Sequence, residues 1–258
     1  MAKYKIGATD GGDAGLDLSW ADKLSTVDGA IVITKNLTQG FRDTVLSNEE
    51  KLIVHATTTG YGGTVLEPNV PSVDEQFDSV MALVRFGFPK ERIVIRVDPI
   101  IPTPKGIRVA ENVIKKFIDA GFYRFRVSII DMYPHVRERF KQAGLPLPYG
   151  DGKYGFSPSA EQVRAVDKML ARAFAYYEKT KGPMPRFEGC AEPGLTNVIH
   201  CGCISEYDLK LLGLHDDGTA DSAGYQRHDC MCYSGKVELL KSRDRCGHQC
   251  LYCFWKDR

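Results

Sequence analysis

Three cysteines near residue 250 are the residues of this sequence whose types and spacing most directly suggest chemistry. Cys246, Cys250 and Cys253 form the pattern Cys-x3-Cys-x2-Cys, and the aromatic Tyr252 stands directly before the third cysteine. Three thiolates on one short segment can hold three irons of a [4Fe-4S] cluster and leave the fourth iron open, whereas electron-transfer clusters usually take four cysteines. The spacing therefore predicts a cluster with one iron that can bind another molecule.

Two other interpretations of this segment involve a different metal or bond. A zinc knuckle needs four nitrogen or sulfur ligands, usually in Cys-x2-4-Cys pairs, and His248 could be the fourth. A gap of three residues followed by a gap of two fits zinc poorly, so the spacing favours iron and sulfur. Disulfides are favoured least, because 8 cysteines in 258 residues without a recognisable signal peptide indicate a reducing, cytoplasmic compartment.

Composition limits the class of protein without identifying it. With 43% hydrophobic and 26% charged residues, the chain can bury one sizeable core and form one structural domain. It contains no apolar run of the roughly eighteen residues that a membrane span needs, so we expect no membrane partner. A net charge of +1 predicts no overall attraction to nucleic acid or anionic lipid. Basic residues do surround the cysteine segment, where they either steer an anionic substrate or form a solvated face: Lys236, Lys241, Arg243, Arg245, Lys256 and Arg258.

The elements that must position these residues alternate along the chain. Six short apolar runs rich in β-branched residues predict strands, and helical patterns fill most of the gaps. The predicted strands are Tyr4–Ala8, Ala30–Thr34, Leu52–Thr57, Ile93–Val97, Phe125–Ile130 and Arg186–Cys190. Because strands that alternate with helices form parallel sheets, the pattern predicts a partial (β/α)6 barrel over residues 1–190. The cysteine-rich tail, residues 191–258, is expected to pack on this barrel within one structural domain.

Three helices have clear boundaries in the sequence. Two of them begin with capping boxes, formed by Ser72 with Glu75 and by Ser159 with Gln162. The third ends at Gly121. Tyr207–Leu212 is the one short helix predicted in the tail. Lys35–Lys51 shows no clear helix between the second and third strands.

Residues directly after the predicted strands are polar. In parallel α/β sheets ligands bind at the carboxyl ends of the strands, so these side chains are expected to surround one barrel mouth. A ring of donors and acceptors suits a zwitterionic ligand. The candidates are Thr9 to Asp13, Lys35 and Asn36, Thr57 to Tyr61, Arg96 and Asp98, Ser128 and Asp131, and Glu188 and Glu192.

The cysteine pattern with its aromatic residue resembles the signature of the radical S-adenosylmethionine (SAM) enzymes. The resemblance implies that SAM chelates the open iron, that an electron from the cluster releases a 5'-deoxyadenosyl radical, and that this radical abstracts hydrogen from a substrate. It also implies an electron donor such as flavodoxin or ferredoxin. On this interpretation Cys246, Cys250 and Cys253 are the catalytic ligands, and the residues expected to bind SAM are Lys35, Asn36, Arg96, Asp98, Ser128, Glu188 and Tyr252.

The order of the motifs differs from the usual radical SAM barrel. In that superfamily the cysteine loop follows the first strand, and a Gly-Gly-Glu-like segment that contacts the SAM amine follows the second. Here Gly11-Gly12-Asp13 comes first and the cysteines come last. The resemblance therefore implies a circularly permuted barrel.

The whole chain also resembles a bacterial and viral family described as a domain of unknown function. The shared segments include Ile33 to Asn36, Thr59 to Tyr61, Arg96 to Ile100, Cys190 to Glu192, and Cys230 to Cys232. One departure concerns the first strand: the family usually has an arginine pair before Thr-Asp, whereas Gly7 and Ala8 stand there in this chain. A family-typical anion contact is therefore altered or missing.

Four further cysteines match that family: Cys190, Cys203, Cys230 and Cys232. Four thiolates would complete a second [4Fe-4S] cluster with no open iron, and the same four could instead hold a structural zinc. Cys201 would then be spare. Either metal would tie the tail to the barrel and contribute to its folding energy.

The substrate is the least constrained part of the interpretation. A resemblance to spore photoproduct lyase, together with the basic residues around the cysteines, favours a modified base in nucleic acid or a nucleotide. Radical SAM peptide modification is the enzymatic alternative. A non-catalytic zinc or iron-sulfur module that binds nucleic acid is the alternative from another class.

Overall fold

Eight parallel strands form one sheet in the computed structural model, which describes residues 3–149, 156–180, 182–215, 231–240 and 246–255. The strands run in the order β7-β6-β5-β4-β3-β2-β1-β8. Their bounds are β1 (Ile6–Ala8), β2 (Gly29–Thr34), β3 (Leu52–Thr57), β4 (Ile93–Ile100), β5 (Arg124–Ile129), β6 (Arg186–Gly189), β7 (Ile199–His200) and β8 (Lys236–Glu238). All six predicted strands are confirmed.

The two strands that were not predicted are the edges of the sheet. β7 pairs with β6, and β8 pairs with β1, with Ile6 beside Lys236. β7 and β8 have two and three residues and lie outside the apolar runs of the sequence, so periodicity did not predict them. Since β7 and β8 are opposite edges of the sheet that the described residues form, this sheet is open and is not a closed barrel.

Helices connect successive strands. They are α1 (Gln39–Leu46), α2 (Val73–Arg85), α3 (Pro104–Asp119), α4 (Pro134–Gln142), α5 (Ala160–Tyr177) and α6 (Glu206–Leu211), and short 3-10 segments cover Leu18–Thr26, Glu49–Lys51 and Lys90–Arg92. Both predicted capping boxes form, at the starts of α2 and α5. Gly121 follows α3 with a φ of +80°, a left-handed conformation that glycine adopts without steric cost. α1 corrects the expectation that Lys35–Lys51 contains no clear helix.

Alternate residues of each strand face opposite sides of the sheet. One face packs against α1, α2, α3 and α5 in the main core, which contains Phe117, Phe125 and Leu170. The opposite face, which we call the inner face, carries a smaller apolar cluster covered by α6 and its flanking segments. That cluster consists of Ile6, Ile31, Ile53, Val94, Ile204, Leu209 and Tyr233.

Buried charges also lie on the inner face. The guanidinium of Arg124 donates to Asp208 of α6 at 2.6 Å, and that of Arg126 donates to Glu188 of β6 at 2.7 Å. Burial opposes ionisation of Glu188, but Arg126 and Arg124 more than offset this and lower its pKa to about 2. A buried charge is tolerated when it is paired and hydrogen-bonded, so these contacts hold α6 against β5 and β6. No helix within the described residues is both long enough and apolar enough to cross a bilayer.

Candidate active site at the carboxyl ends of the strands

One cavity of about 710 Å3 lies at the carboxyl ends of the strands. This volume falls within the range of about 300–1,000 Å3 typical of small-molecule sites. Each of β1 to β6 contributes lining residues at or just after its end: Thr9 to Asp13, Lys35, Thr57, Arg96 with Asp98, Arg126 with Ser128, and Cys190. The structure therefore brings this part of the predicted set together at one cavity.

The sheet curves strongly around this cavity. The amide of Cys203, three residues after β7, donates to the sulfur of Cys232, which precedes β8, at 3.3 Å. Seven strand spacings separate β7 from β8, a distance of about 34 Å in a flat sheet with strands about 4.8 Å apart. A contact between segments next to the two edge strands requires the sheet to bend, and this bend brings polar side chains from distant strands to one cavity.

The cysteine loop, residues 246–255, forms a further wall of the cavity. Cys246, Cys250 and Cys253 all line it, and the loop follows the edge strand β8 in the chain. The amide of Cys253 donates to the carbonyl of Cys250 at 3.1 Å, which closes a tight turn. Burial raises the pKa of the Cys250 thiol to about 12. Metal binding would have to displace that proton, as it does at thiolate sites generally.

Asp13 and His248 form the first anchor of the loop. Nε2 of His248 lies 2.9 Å from the Asp13 carboxylate, and Nδ1 lies 3.2 Å from the carbonyl of Asn69. Burial lowers the pKa of His248, but the hydrogen bond with Asp13 outweighs it and the net shift is upward. The same carboxylate accepts from the amides of Gly15 and Lys35. Asp13 is therefore saturated with donors, and its role is to hold the loop.

Glu67 forms the second anchor. Its carboxylate accepts from the ammonium of Lys35 at 2.7 Å, from the hydroxyl of Thr59 at 2.7 Å, and from the hydroxyl of Tyr252. Lys35 also donates to the Tyr252 hydroxyl at 2.8 Å. Burial opposes ionisation of Glu67, but Lys35 and the hydrogen bonds outweigh it, so the pKa of Glu67 lies below its ordinary value. The aromatic residue of the cysteine pattern is thus fixed through its hydroxyl.

Three further hydrogen bonds to or from the loop backbone complete its attachment. The side-chain amide of Asn69 donates to the carbonyl of Gly247 at 2.7 Å. The guanidinium of Arg139 donates to the carbonyl of Cys253, also at 2.7 Å. The amide of Leu251 donates to the carbonyl of Leu66 at 3.0 Å. The segment after β3 therefore holds the loop from one side and α4 holds it from the other.

Arg96, Asp98 and Ser128 form one polar wall of the cavity. The Asp98 carboxylate accepts hydrogen bonds from the guanidinium of Arg96 and from the hydroxyl of Ser128. Burial opposes ionisation of Asp98, but Arg96 and Ser128 lower its pKa below the ordinary value. This wall presents a carboxylate, a guanidinium and a hydroxyl to any ligand of the cavity.

The comparison with known protein families matches residues 20–255 to a domain of unknown function, DUF1848. The chain belongs to the DUF1848 family. The resemblance inferred from the sequence segments is thereby confirmed at the level of the family. A comparison with curated proteins found no match.

Two residues expected to bind SAM lie away from the cavity of this DUF1848 chain. Asn36 and Glu188 are not among the described residues that line it. The Asn36 backbone bonds to Thr34 at the turn after β2. Glu188 is fully buried in the charge network of the inner face and accepts from Arg126 and Arg186. Lys35, Arg96, Asp98, Ser128 and Tyr252 do line the cavity.

The donor set in the cysteine loop fits an iron-sulfur cluster with an open iron better than it fits zinc. Three thiols line one cavity, and thiolate is the usual ligand of such clusters. His248, the fourth ligand that a zinc knuckle would use, has both ring nitrogens in hydrogen bonds. Within the described ranges, no group of three or more His, Cys, Asp or Glu side chains is arranged as a metal site, so the thiols would have to turn toward a bound metal.

A second group of thiols lies on the inner side of the cavity. The amide of Cys203 donates to the sulfur of Cys232 at 3.3 Å, and interactions with the thiols of Cys190 and Cys232 hold the pKa of Cys203 well below its ordinary value. Cys201 lies apart from them, 3.5 Å from the guanidinium of Arg126. Cys230, the fourth ligand predicted for this group, lies outside the described residues.

The basic residues expected around the cysteine loop divide into two sets. Lys236 points inward from β8 and pairs with Asp10, so it belongs to the inner face and does not form a solvated surface. Five lie outside the described residues: Lys241, Arg243, Arg245, Lys256 and Arg258. Glu67 is the main residue of the site that was not assigned from the sequence, and His248, considered there only as a zinc ligand, instead contacts Asp13 and Asn69. The contacts of these two residues that attach the cysteine loop span 179 to 235 residues of the chain.

Proposed function

We propose that the protein is a radical SAM enzyme. The observation that carries the proposal is the meeting of Cys246, Cys250 and Cys253 with the polar carboxyl ends of six parallel strands at one cavity. When bound by the three thiolates, a [4Fe-4S] cluster would supply the electron that cleaves SAM to a 5'-deoxyadenosyl radical, which abstracts hydrogen from a substrate carbon.

The protein's own residues have defined parts in this proposal. The anchors formed by Asp13 with His248, and by Glu67 with Lys35 and Tyr252, fix the cysteine loop before any ligand binds, and such preorganisation is a general requirement of catalytic sites. The wall of Arg96, Asp98 and Ser128 offers partners to the amine and carboxylate of SAM. A ligand bound in this cavity would be partly shielded from water, which protects a reactive intermediate.

The order of the strands supports the circular permutation. β8 lies beside β1 and is parallel to it, and the cysteine loop follows β8 while Gly11-Gly12-Asp13 follows β1. Read from β8, the sheet has the order of the usual radical SAM barrel, with cysteines after the first strand and a glycine pair after the second. On this reading the curved sheet is a partial barrel. The argument is one of fold and motif order, and function has to be tested at the site itself.

SAM cleavage is the direct test. Anaerobically reconstituted protein, incubated with SAM and dithionite, is expected to form 5'-deoxyadenosine, measured by liquid chromatography. The Cys250→Ala variant is expected to fall to the level of the buffer control, whereas Cys201→Ser, which removes a thiol outside the cavity lining, is expected to retain the activity. Iron-loaded wild-type protein that forms no 5'-deoxyadenosine would contradict the proposal and favour a non-catalytic binding module.

We further propose that the substrate carries a planar base, as in a nucleotide or nucleic acid. Aromatic side chains gather at one side of the cavity: Tyr133 and Phe254 lie edge to face with centroids 4.9 Å apart, and Trp255 follows at 4.7 Å from Phe254. All three line the cavity, and Trp255 remains 39% exposed. Exposed aromatic side chains are the usual platform for stacking bases.

Replacing the exposed indole tests this substrate class. Trp255→Ala is expected to weaken binding of a short single-stranded oligonucleotide roughly 5- to 150-fold, because stacking on one aromatic side chain contributes about 1–3 kcal/mol. Fluorescence anisotropy with SAM present would measure the affinity. Phe86→Ala is the matched control, since Phe86 is an exposed aromatic residue at the end of α2. Failure of the wild type to bind any oligonucleotide or nucleotide would leave peptide modification as the alternative.

A further inference from the structure

Three thiols from separate parts of the chain meet beneath the cavity. Cys190 follows β6, Cys203 lies after β7, and Cys232 precedes β8. The amide of Cys203 donates to the sulfur of Cys232 at 3.3 Å, and the thiol of Cys190 interacts with both of these cysteines. None of the three is in a disulfide. A single disulfide would leave one of them unpaired, whereas a metal ion or cluster could engage all three.

Positive charges act on the thiol group formed by Cys190, Cys203 and Cys232. Structural buried cysteines usually lie among apolar side chains and are inert, whereas thiolates occur in electropositive surroundings. Arg96 and Lys236 act electrostatically on Cys203, and Arg126 acts on Cys190. Arg126 and Lys236 are themselves buried. Their positive charges would partly compensate the negative charge of a thiolate-bound metal.

His55 provides an independent sign of a ligand in the same layer. It lies on β3, is 0% exposed, and neither of its ring nitrogens has a hydrogen-bond partner in the described protein. Its electrostatic neighbours include Cys203, Arg96 and Arg126. Buried polar groups are nearly always hydrogen-bonded, so an imidazole without a partner beside a thiol group needs an explanation. Imidazole is also a common ligand of the metals that thiolates bind.

We propose that Cys190, Cys203 and Cys232 hold a second metal centre, an iron-sulfur cluster or a zinc ion, separate from the cysteine loop. Because these side chains are not arranged as a metal site in the described residues, the thiols would turn toward the metal on binding and release their protons. The centre would join the ends of β6 and β8 and the segment after β7, and it would face the same cavity as the loop, because Cys190 and Cys203 line that cavity. The proposal does not depend on the radical SAM activity, since none of its ligands belongs to the loop.

Metal analysis of variants tests this centre in the full-length chain. In a variant with Cys246, Cys250 and Cys253 all replaced by alanine, reconstituted anaerobically with iron, sulfide and zinc, about four irons or one zinc per chain are expected to remain. Visible absorption and Mössbauer spectra would distinguish the iron-sulfur cluster from zinc. Adding Cys203→Ser is expected to remove that metal, whereas adding Cys201→Ser is expected to leave it.

The controls separate a missing site from a misfolded chain. Far-ultraviolet circular dichroism of each variant reports whether the sheet and helices remain, and Cys190→Ser replaces Cys203→Ser if the latter does not fold. A folded loop variant that binds neither iron nor zinc would overturn the proposal. An undiminished metal content in both the Cys203→Ser and the Cys190→Ser variants would overturn it as well.

Discussion

Single carboxylates determine where the cysteine loop lies. Glu67 and Asp13 are both buried, and each is surrounded by donors from segments far apart in the sequence. Several hydrogen-bond donors stabilise the ionised form of a buried carboxylate. Removing the carboxylate leaves those donors without an acceptor. The geometry of the cysteines therefore depends on side chains that need not touch a ligand.

Glu67→Gln tests the second anchor. The substitution keeps the shape of the side chain but removes the charge that faces the largely buried ammonium of Lys35. We expect the free energy of unfolding to fall by roughly 2–4 kcal/mol, because breaking a buried ion pair leaves one charge uncompensated. Chemical denaturation monitored by circular dichroism would measure it. Hydrogen exchange should also show faster exchange at Leu251, whose amide bonds to the carbonyl of Leu66.

An exposed ion pair provides the control for that variant. Lys116 and Asp74 are 2.9 Å apart, and the Asp74 side chain is 84% exposed. Asp74→Asn is expected to change stability by no more than about 0.5 kcal/mol, since exposed pairs contribute little. Equal effects of the two substitutions would show that Glu67 is not an anchor.

Much of the site was predictable at the residue scale, because strand ends follow from local pattern. Lys35, Arg96, Asp98 and Ser128 were assigned from the rule that ligands sit at the carboxyl ends of parallel strands, and they line the cavity. The prediction for Asn36 was wrong because the chain turns directly after β2. At such a turn the rule does not say whether Lys35 or Asn36 faces the cavity. Glu67 lies outside the strands, so the strand-end rule could not assign it.

At the scale of elements, α6 is the part of the tail held by charge as well as by apolar packing. Asp208 pairs with Arg124 of β5 and also completes the capping box that starts the helix at Ser205. Leu209, the next residue, packs into the apolar cluster of the inner face. One turn of helix thus combines a cap, an ion pair and a core contact.

Asp208→Asn is expected to destabilise the protein by about 3–5 kcal/mol, because it leaves the fully buried Arg124 without its closest carboxylate. Thermal or urea unfolding would measure the loss. Glu206→Gln, at an exposed position in the same helix, is the matched control. The double variant Arg124→Met, Asp208→Leu is expected to recover part of the stability, since buried ion pairs can be replaced by apolar side chains of similar volume. If Asp208→Asn left the free energy of unfolding unchanged, the role given to the Arg124–Asp208 pair would be contradicted.

The long helices were predictable, as was the short helix α6, whereas α1 and the two edge strands were not. α2 and α5 have capping boxes and long apolar stripes, and both begin where the sequence indicated. α1 has eight residues and buries Phe41 and Val45, which is too little for a periodic pattern to stand out. β4 extends past its predicted end at Val97 to Ile100, across an irregularity in its pairing with β5. Such a shift reflects tertiary contacts and has no local signal.

At the scale of the whole molecule, the curvature of the sheet is the property that the sequence specified least. The alternation of strands and helices predicted a parallel sheet, and the sheet is parallel. Whether its edges meet depends on the two shortest strands and on contacts between β6 and the segment before β8. Those contacts are made by cysteines, whose partners cannot be read from spacing alone.

The pairing of β8 with β1 determines how early the site can form while the chain is being synthesised. Lys236 of β8 and its partner Asp10 are 226 residues apart in the chain. A ribosome adding about 5–20 residues per second needs roughly 10–45 seconds to pass from one to the other, and during that time the outer edge of β1 has no partner. An open edge invites pairing with other nascent chains, so the cell's chaperones have a defined interval in which to protect it. The cysteine loop follows β8, so the cavity cannot be complete before all eight strands have been synthesised.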